Sequence, residues 1–153
     1  MRNIRDMNKQ ITRDEAMSLL AQAEYGVLST VDDSGQPYGV PLNFIVLDGA
    51  VYLHCGLEGH KLDNISSNHQ VCFTVVATST VVPSSFSANY ESVIVFGKAH
   101  IVHDTEKVTM LKELVKKYSH EYQDKGLKVI ESFKDKCTVI RIAIEHITGK
   151  RKK

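Results

Sequence analysis

Two short turns constrain this chain more than any other feature. Tyr25-Gly-Val-Leu-Ser-Thr-Val31 is rich in β-formers and reads as a strand, and Asp32-Asp-Ser-Gly35 closes it with turn residues. Gln36 to Leu47 continues extended, and Asp48-Gly49 makes a second tight turn into Ala50–His54. Turns this short cannot carry a crossover helix. The strands are therefore antiparallel neighbours in a meander, and a parallel βαβ wind is excluded.

The flanking segments fill in a mainly β fold. Thr12-Arg-Asp-Glu15 has the form of a capping box, ahead of Ala16, Leu19, Leu20 and Ala23 at helical spacing, which predicts an amphipathic helix over 12–23. Val71-Cys-Phe-Thr-Val-Val76 predicts a strand buried on both faces near Val75-Val76. Pro83 to Ser87 reads as a loop; Ser84, Ser85 and Ser87 have hydroxyls for phosphate oxygens, but serines beside a proline are ordinarily loop residues. Ser92 to Val102 is a long strand with Gly97 as a bulge or bend. Asp104-Thr105 starts a helix with Val108, Leu111, Leu114 and Val115 on one face; Lys125-Gly126 interrupts it, and a short helix covers Leu127 to Phe133.

Val139 to Ile147 closes the fold. Val139, Arg141, Ala143, Glu145 and Ile147 alternate with Ile140, Ile142, Ile144 and His146. Six strands with helices at the margins predict a six-stranded antiparallel barrel, since closure abolishes exposed edges. At 153 residues the chain fits a single domain, with residues 1–11 and 150–153 as flexible ends, the latter a solvated Lys150-Arg-Lys-Lys153 tail.

Composition narrows the function classes. Nineteen basic against eighteen acidic residues give a net charge of +1, which lacks the concentrated basic field of a nucleic-acid surface. The apolar runs are too short to span a bilayer, and the first ten residues are polar and of mixed sign, unlike a secretory leader. Three cysteines without a C-x-x-C pair suit a reducing, cytoplasmic setting. Seven histidines include no H-x-x-x-H pair with a third ligand in reach, so no metal site is expected.

Charge placement singles out one stretch. Val51-Tyr52-Leu53-His54 reads as strand, Cys55 to Gly59 breaks it, and His60-Lys-Leu-Asp-Asn-Ile65 suits a short helix. A lysine in the first helical turn opposes the helix dipole by about 0.3–1 kcal/mol. The same place attracts an anion, because free N–H groups point outward there. His60 and Lys61 thus suggest a phosphate or carboxylate pocket; a surface loop with an incidental lysine fits the spacing equally well. Pro41-Leu-Asn-Phe44 lies mid-strand, where a proline points to an edge, bulge or interface. Asn43 can offer its amide to a heterocycle or bridge its own backbone at a bulge, and the bulge is the simpler reading. Cys55 has no adjacent base and reads as a small half-buried residue rather than a reactive thiol.

Six motifs in order then carry a resemblance: Tyr25-Gly-Val-Leu-Ser-Thr30, Gly35-Gln-Pro-Tyr38, Val40-Pro-Leu-Asn-Phe44, Tyr52-Leu-His54, Gly59-His-Lys-Leu62 and Tyr90-Glu-Ser-Val93. The chain resembles the pyridoxamine 5′-phosphate oxidase-related FMN-binding split-barrel proteins. The nearest branch is the nitroimidazole-resistance (Nim-type) group, to which Ile147-Thr-Gly-Lys150 is also similar. The resemblance runs from about Thr12 to Lys150.

It implies a split β-barrel that forms a homodimer with FMN at the subunit interface. Pro41, Leu42 and Asn43 would line the isoalloxazine, His60 and Lys61 would hold the phosphate, and Asn64 would support that corner. Tyr90 and Ser92 would come from the second subunit, and His54 would lie near the flavin as a catalytic candidate. Nothing in the chain resembles the arginine-rich substrate pocket of a true pyridoxamine phosphate oxidase. The implied activity is an FMN-dependent oxidoreductase acting on small oxidised aromatics such as nitro compounds, using a small-molecule electron donor. A flavin- or haem-binding carrier or sensor without turnover is the alternative, and a deazaflavin is a third option for the cofactor.

Overall fold

Thr12 sets the first helix. Its hydroxyl accepts from the Glu15 N–H at 3.2 Å while the Glu15 carboxylate accepts from the Thr12 N–H at 2.9 Å, and α1 (Arg13–Gln22) follows, burying Ala16 and Leu20. The computed structural model describes residues 4–153. Its strands are β1 (Gln10–Ile11), β2 (Gly26–Val31), β3 (Pro37–Leu42), β4 (Ile45–Leu47), β5 (Ala50–Cys55), β6 (Gln70–Val82), β7 (Ser87–Val102) and β8 (Thr138–Lys152). The remaining helices are α2 (His60–Ser67), α3 (Asp104–Tyr118) and α4 (Gln123–Phe133). None is long and apolar enough to cross a membrane.

The described strands form one antiparallel sheet of eight, ordered β3-β2-β6-β7-β8-β5-β4 with β1 beside β8. This corrects the six-stranded closed barrel. The segment 36–47 is not one strand: β3 pairs with β2, β4 pairs with β5, and Asn43-Phe44 lies in neither ladder. Both expected hairpins form, but the strands between them do not pair with each other, so the three-strand meander is not continuous. Asp48 and Gly49 both take positive φ (48° and 72°), the geometry of a two-residue hairpin turn. Since only two residues separate β3 from β4, the ends of the path meet in space at a seam without a ladder.

Phe44 plugs that seam. It is wholly buried, edge-on to Phe73 at 4.8 Å between ring centroids. Leu28, Leu53, Val75, Val95 and Ile142 join it inside the barrel, while Ala50, Tyr52 and Val139 point outward under Met110, Leu111 and Leu114 of α3. Val75 is buried, but Val76 is 60% exposed, so the expected burial of both faces there is corrected. The stretch 83–87 is a single 3-10 turn, Pro83–Ser85, at the tip of the long β6–β7 hairpin.

The irregularity expected at Gly97 is there, but the bulged strand is β8, opposite it. Phe96 pairs with His146 and Gly97 with Ile144, which leaves Glu145 unpaired on β8. The unbroken alternation expected along β8 therefore switches at Glu145. Ile140, Ile142 and Ile147 all reach the interior, and His146 turns out beside Phe96 at 6.4 Å. Gly126 does not end a helix; it lies within α4, where a Cβ would stand 2.4 Å from Val115 Cγ1. The break falls at the 3-10 turn His120–Tyr122.

Within the expected flexible ends, residues 10–11 and 150–152 lie in ladders, while residues 4–9 hold only the 3-10 turn Met7–Lys9. Gln10 and Ile11 pair with Lys150 and Gly149, and Lys150, Arg151 and Lys152 pair with Ser92, Glu91 and Tyr90. Residues 1–3 of that expectation lie outside the described residues.

Candidate functional site

The site begins where β5 ends. Gly59, at φ +136°, is the N-cap of α2, a conformation L side chains rarely adopt, and no side chain caps the helix start. His60 is the first helical residue and Lys61 the second, as the spacing predicted. Lys61 is half-buried, and no carboxylate lies within ion-pair distance of it among the described residues. The His60 ring lies over Tyr38 of β3 at 4.2 Å. Leu62 and Ile65 enter the core, and buried Asn64 donates through Nδ2 to Thr30 Oγ1 at 2.9 Å. Asn64 thus pins α2 to β2.

The same edge strand carries the second part. Pro41 is three residues beyond Tyr38, about 10 Å along β3 at roughly 3.3 Å per residue. Pro41, Leu42 and Asn43 line a cleft of about 380 Å³ together with Glu24 and Tyr25. Asn43 Nδ2 donates to the Glu24 carbonyl at 3.0 Å, nineteen residues away, so the amide bridges distant backbone just ahead of β2 rather than its own, and Asn43 lies between two ladders rather than at a bulge. A larger depression of about 630 Å³ at the start of α3, lined by His103, Lys107 and Lys134 among others, includes none of the predicted residues.

Tyr90 and Ser92 stand apart from the cleft. Pro41 pairs with Val27, Val27 with Thr74, and Thr74 with Ile94; Ser92 is two residues further along β7. Three strand spacings separate β3 from β7, about 14 Å. Within one chain these residues do not meet.

Sequence comparison supplies the family. The chain matches the pyridoxamine 5′-phosphate oxidase family over residues 12–151. It belongs to that family. No curated protein matches it at a significant level. Among solved structures, a candidate 5-nitroimidazole antibiotic resistance protein of Bacteroides thetaiotaomicron VPI-5482 is 27% identical, covering 92% of this chain and 85% of that one, with a TM-score of 0.74. An FAD binding protein of Mycobacterium smegmatis is 24% identical over 94% and 96% of the two chains (TM-score 0.62). An FAD and heme binding protein of the same organism is 20% identical over 95% and 74% (TM-score 0.82).

The other predicted residues of this family member occupy distinct environments. His54 shares a face of β5 with Ala50 and Tyr52, outside the barrel, while Val51 and Leu53 point in. Its buried Nδ1 has no partner among the described residues, and burial holds its imidazole below the usual pKa, which favours the neutral ring. Burial pushes the Cys55 thiol up, with the Lys61 ammonium pulling it the other way; it is not an activated nucleophile. No cluster of three metal-binding side chains forms among the described residues.

The outward faces of β2, β6 and β7 carry an uncharged patch of two rows, bounded along β7 by exposed Lys98, which pairs with Glu145. Val27, Thr74 and Ile94 make one row, and Ser29, Cys72 and Phe96 the next. Val76, Ile94 and Phe96 are 60%, 38% and 36% exposed. Sequence reasoning missed Tyr38 as a contact of His60, although it lies in a quoted motif. It also missed Lys117 and Tyr118 of α3, which bond the backbone around Phe44 from more than seventy residues away. No local signal announces them.

Proposed function

We propose that this protein is an FMN-binding oxidoreductase that reduces small oxidised aromatics such as nitro compounds, working as a homodimer. The observation that carries the reading is Lys61: a half-buried cation without an acidic partner, at an uncapped helix start that favours a negative ligand. A terminal phosphate at His60 and Lys61 leaves the ring to run along β3 towards Pro41, Leu42 and Asn43. The flavin-binding and nitroimidazole-resistance proteins of similar fold point the same way. Bound FMN would supply the electron transfer; the protein's part is to hold the phosphate, present the ring and exclude water.

Tyr90 and Ser92 of a second copy complete the site in this reading, since they cannot reach it within one chain. The uncharged patch around Val76, Ile94 and Phe96 is the surface on which that copy sits in this reading. The alternative, a flavin or haem carrier without turnover, draws on the FAD and heme binding protein of similar fold. The two separate on one measurement: in an enzyme, a nicotinamide nucleotide bleaches the bound flavin and a nitro compound restores its colour.

Lys61→Ala tests the site itself. Charge-assisted hydrogen bonds are worth roughly 1.5–3 kcal/mol, so FMN affinity should fall about ten- to a hundred-fold at 1.4 kcal/mol per decade. Riboflavin has no phosphate and should bind both proteins alike. Equal FMN affinities for wild type and variant would return Lys61 to the solvated surface.

A further inference from the structure

The wall of the cleft is held in an unusual way. The β2–β3 ladder ends at Leu42 and the β4–β5 ladder begins at Ile45, so no strand partner satisfies the backbone of buried Phe44. Two consecutive residues at the end of α3 do so instead. Tyr118 Oη accepts from the Phe44 N–H at 2.9 Å and lies 2.7 Å from the Phe44 carbonyl and 2.8 Å from that of Glu24, to one of which it donates. Lys117 Nζ donates to the carbonyls of Phe44 at 2.9 Å and Ala23 at 2.8 Å, and sits 4.2 Å from the Phe44 ring centroid. Asn43 joins the same knot through its bond to the Glu24 carbonyl.

Glu24, Pro41, Leu42 and Asn43 are also the cleft wall. We infer that Lys117 and Tyr118 are positioning residues, a clamp at the end of α3 that fixes the Pro41–Asn43 wall where the flavin ring must lie. The inference rests on the flavin reading above. Burial penalises the Lys117 charge, and an apolar side chain there would leave the Ala23 and Phe44 carbonyls without this donor. What a lysine and a tyrosine add is directional bonding to named backbone atoms, which sets the position of Asn43 to within a hydrogen bond's tolerance.

The test uses Tyr118→Phe and Lys117→Met, which keep the bulk and remove the polar atoms. FMN, riboflavin and lumiflavin, the bare ring, are titrated into each protein well below its melting temperature, and the visible circular dichroism of bound flavin is recorded. The clamp requires all three ligands to weaken by a common factor of about ten, with a changed dichroism band. That pattern differs from Lys61→Ala, which affects FMN alone. Unchanged affinities with a lowered melting temperature would make the pair a purely structural brace and overturn the clamp. Loss of FMN binding without loss of lumiflavin binding would overturn it too, leaving the flavin reading intact. Failure of wild type to bind any flavin would remove both. Should the variants not fold, amide exchange in wild type decides. A Phe44 N–H protected before flavin is added supports a preset wall, and protection that appears only with flavin overturns it.

Discussion

Glu15 joins three parts of the chain that are distant in sequence. Its carboxylate accepts from the Thr12 N–H and receives Arg151 Nη1 at 2.8 Å, while Arg151 Nε donates to Glu91 at 2.6 Å. The Thr12 backbone bond, followed by the Arg151 contact, holds the Glu15 carboxyl down to about 2 against an ordinary 4.5. Because the folded pKa is the lower one, the unfolded chain takes up this proton first as pH falls. The stability Glu15 contributes is therefore complete above about 4.5 and is lost progressively towards pH 2. Glu15→Gln should flatten the fall of melting temperature across that window relative to wild type. It should not abolish the fall, since the carboxyls of Asp6 and Asp32 are also held low, by hydrogen bonds from Lys9 and Ser34. Parallel curves for the two proteins would show that the bond does not persist in solution.

Among the elements, the β7–β8 pair shows most directly how one residue redirects a strand. A Cβ on Gly97 would stand 2.0 Å from the Ala143 carbonyl oxygen, a backbone atom that cannot rotate away. Gly97→Ala should therefore reach or exceed the upper end of the overpacking range, about 3 kcal/mol, in guanidinium denaturation. Gly126→Ala is the internal comparison. Its obstacle is the Val115 side chain, which can shift, and alanine regains about 1 kcal/mol of helix propensity at an internal position. The ranking Gly97→Ala well below Gly126→Ala is the expectation; the reverse order would mean that the bulge absorbs the methyl by re-registering.

At the scale of the whole molecule, the exposed apolar patch on β6 and β7 and the distance of Tyr90 and Ser92 from the cleft lead to one test. If a second copy's Tyr90 and Ser92 complete each cleft, light scattering should report a particle of twice the 17.1 kDa chain mass, with an interface well above about 1,000 Å². Phe96 stands on that patch, 36% exposed, and a charge placed there must be desolvated on association. Phe96→Glu should yield monomers and lower FMN affinity together. A wild-type monomer that retains flavin would count decisively against the shared site.

The local chemistry was legible wherever neighbours in the chain decide it. Thr12 and Glu15 cap a helix because both partners lie within one turn, and Asp48-Gly49 reverses the chain because positive φ is accessible there. Gly59-His60-Lys61 opens α2 where the spacing put it, and the motif order carried the family. Contacts across long separations were not legible. The split of 36–47 between opposite ends of the sheet, the pairing of the Lys150–Lys152 tail and the inward turn of Ile147 all follow from ladder register. Tyr38 against His60, and Lys117 and Tyr118 on Phe44, are likewise meetings of residues whose own neighbours say nothing about each other. Propensity and capping act over one to four residues, so they reach the start of α2. Register is settled only when buried faces and backbone hydrogen bonds are satisfied together across the sheet, and that balance exists only in the folded chain.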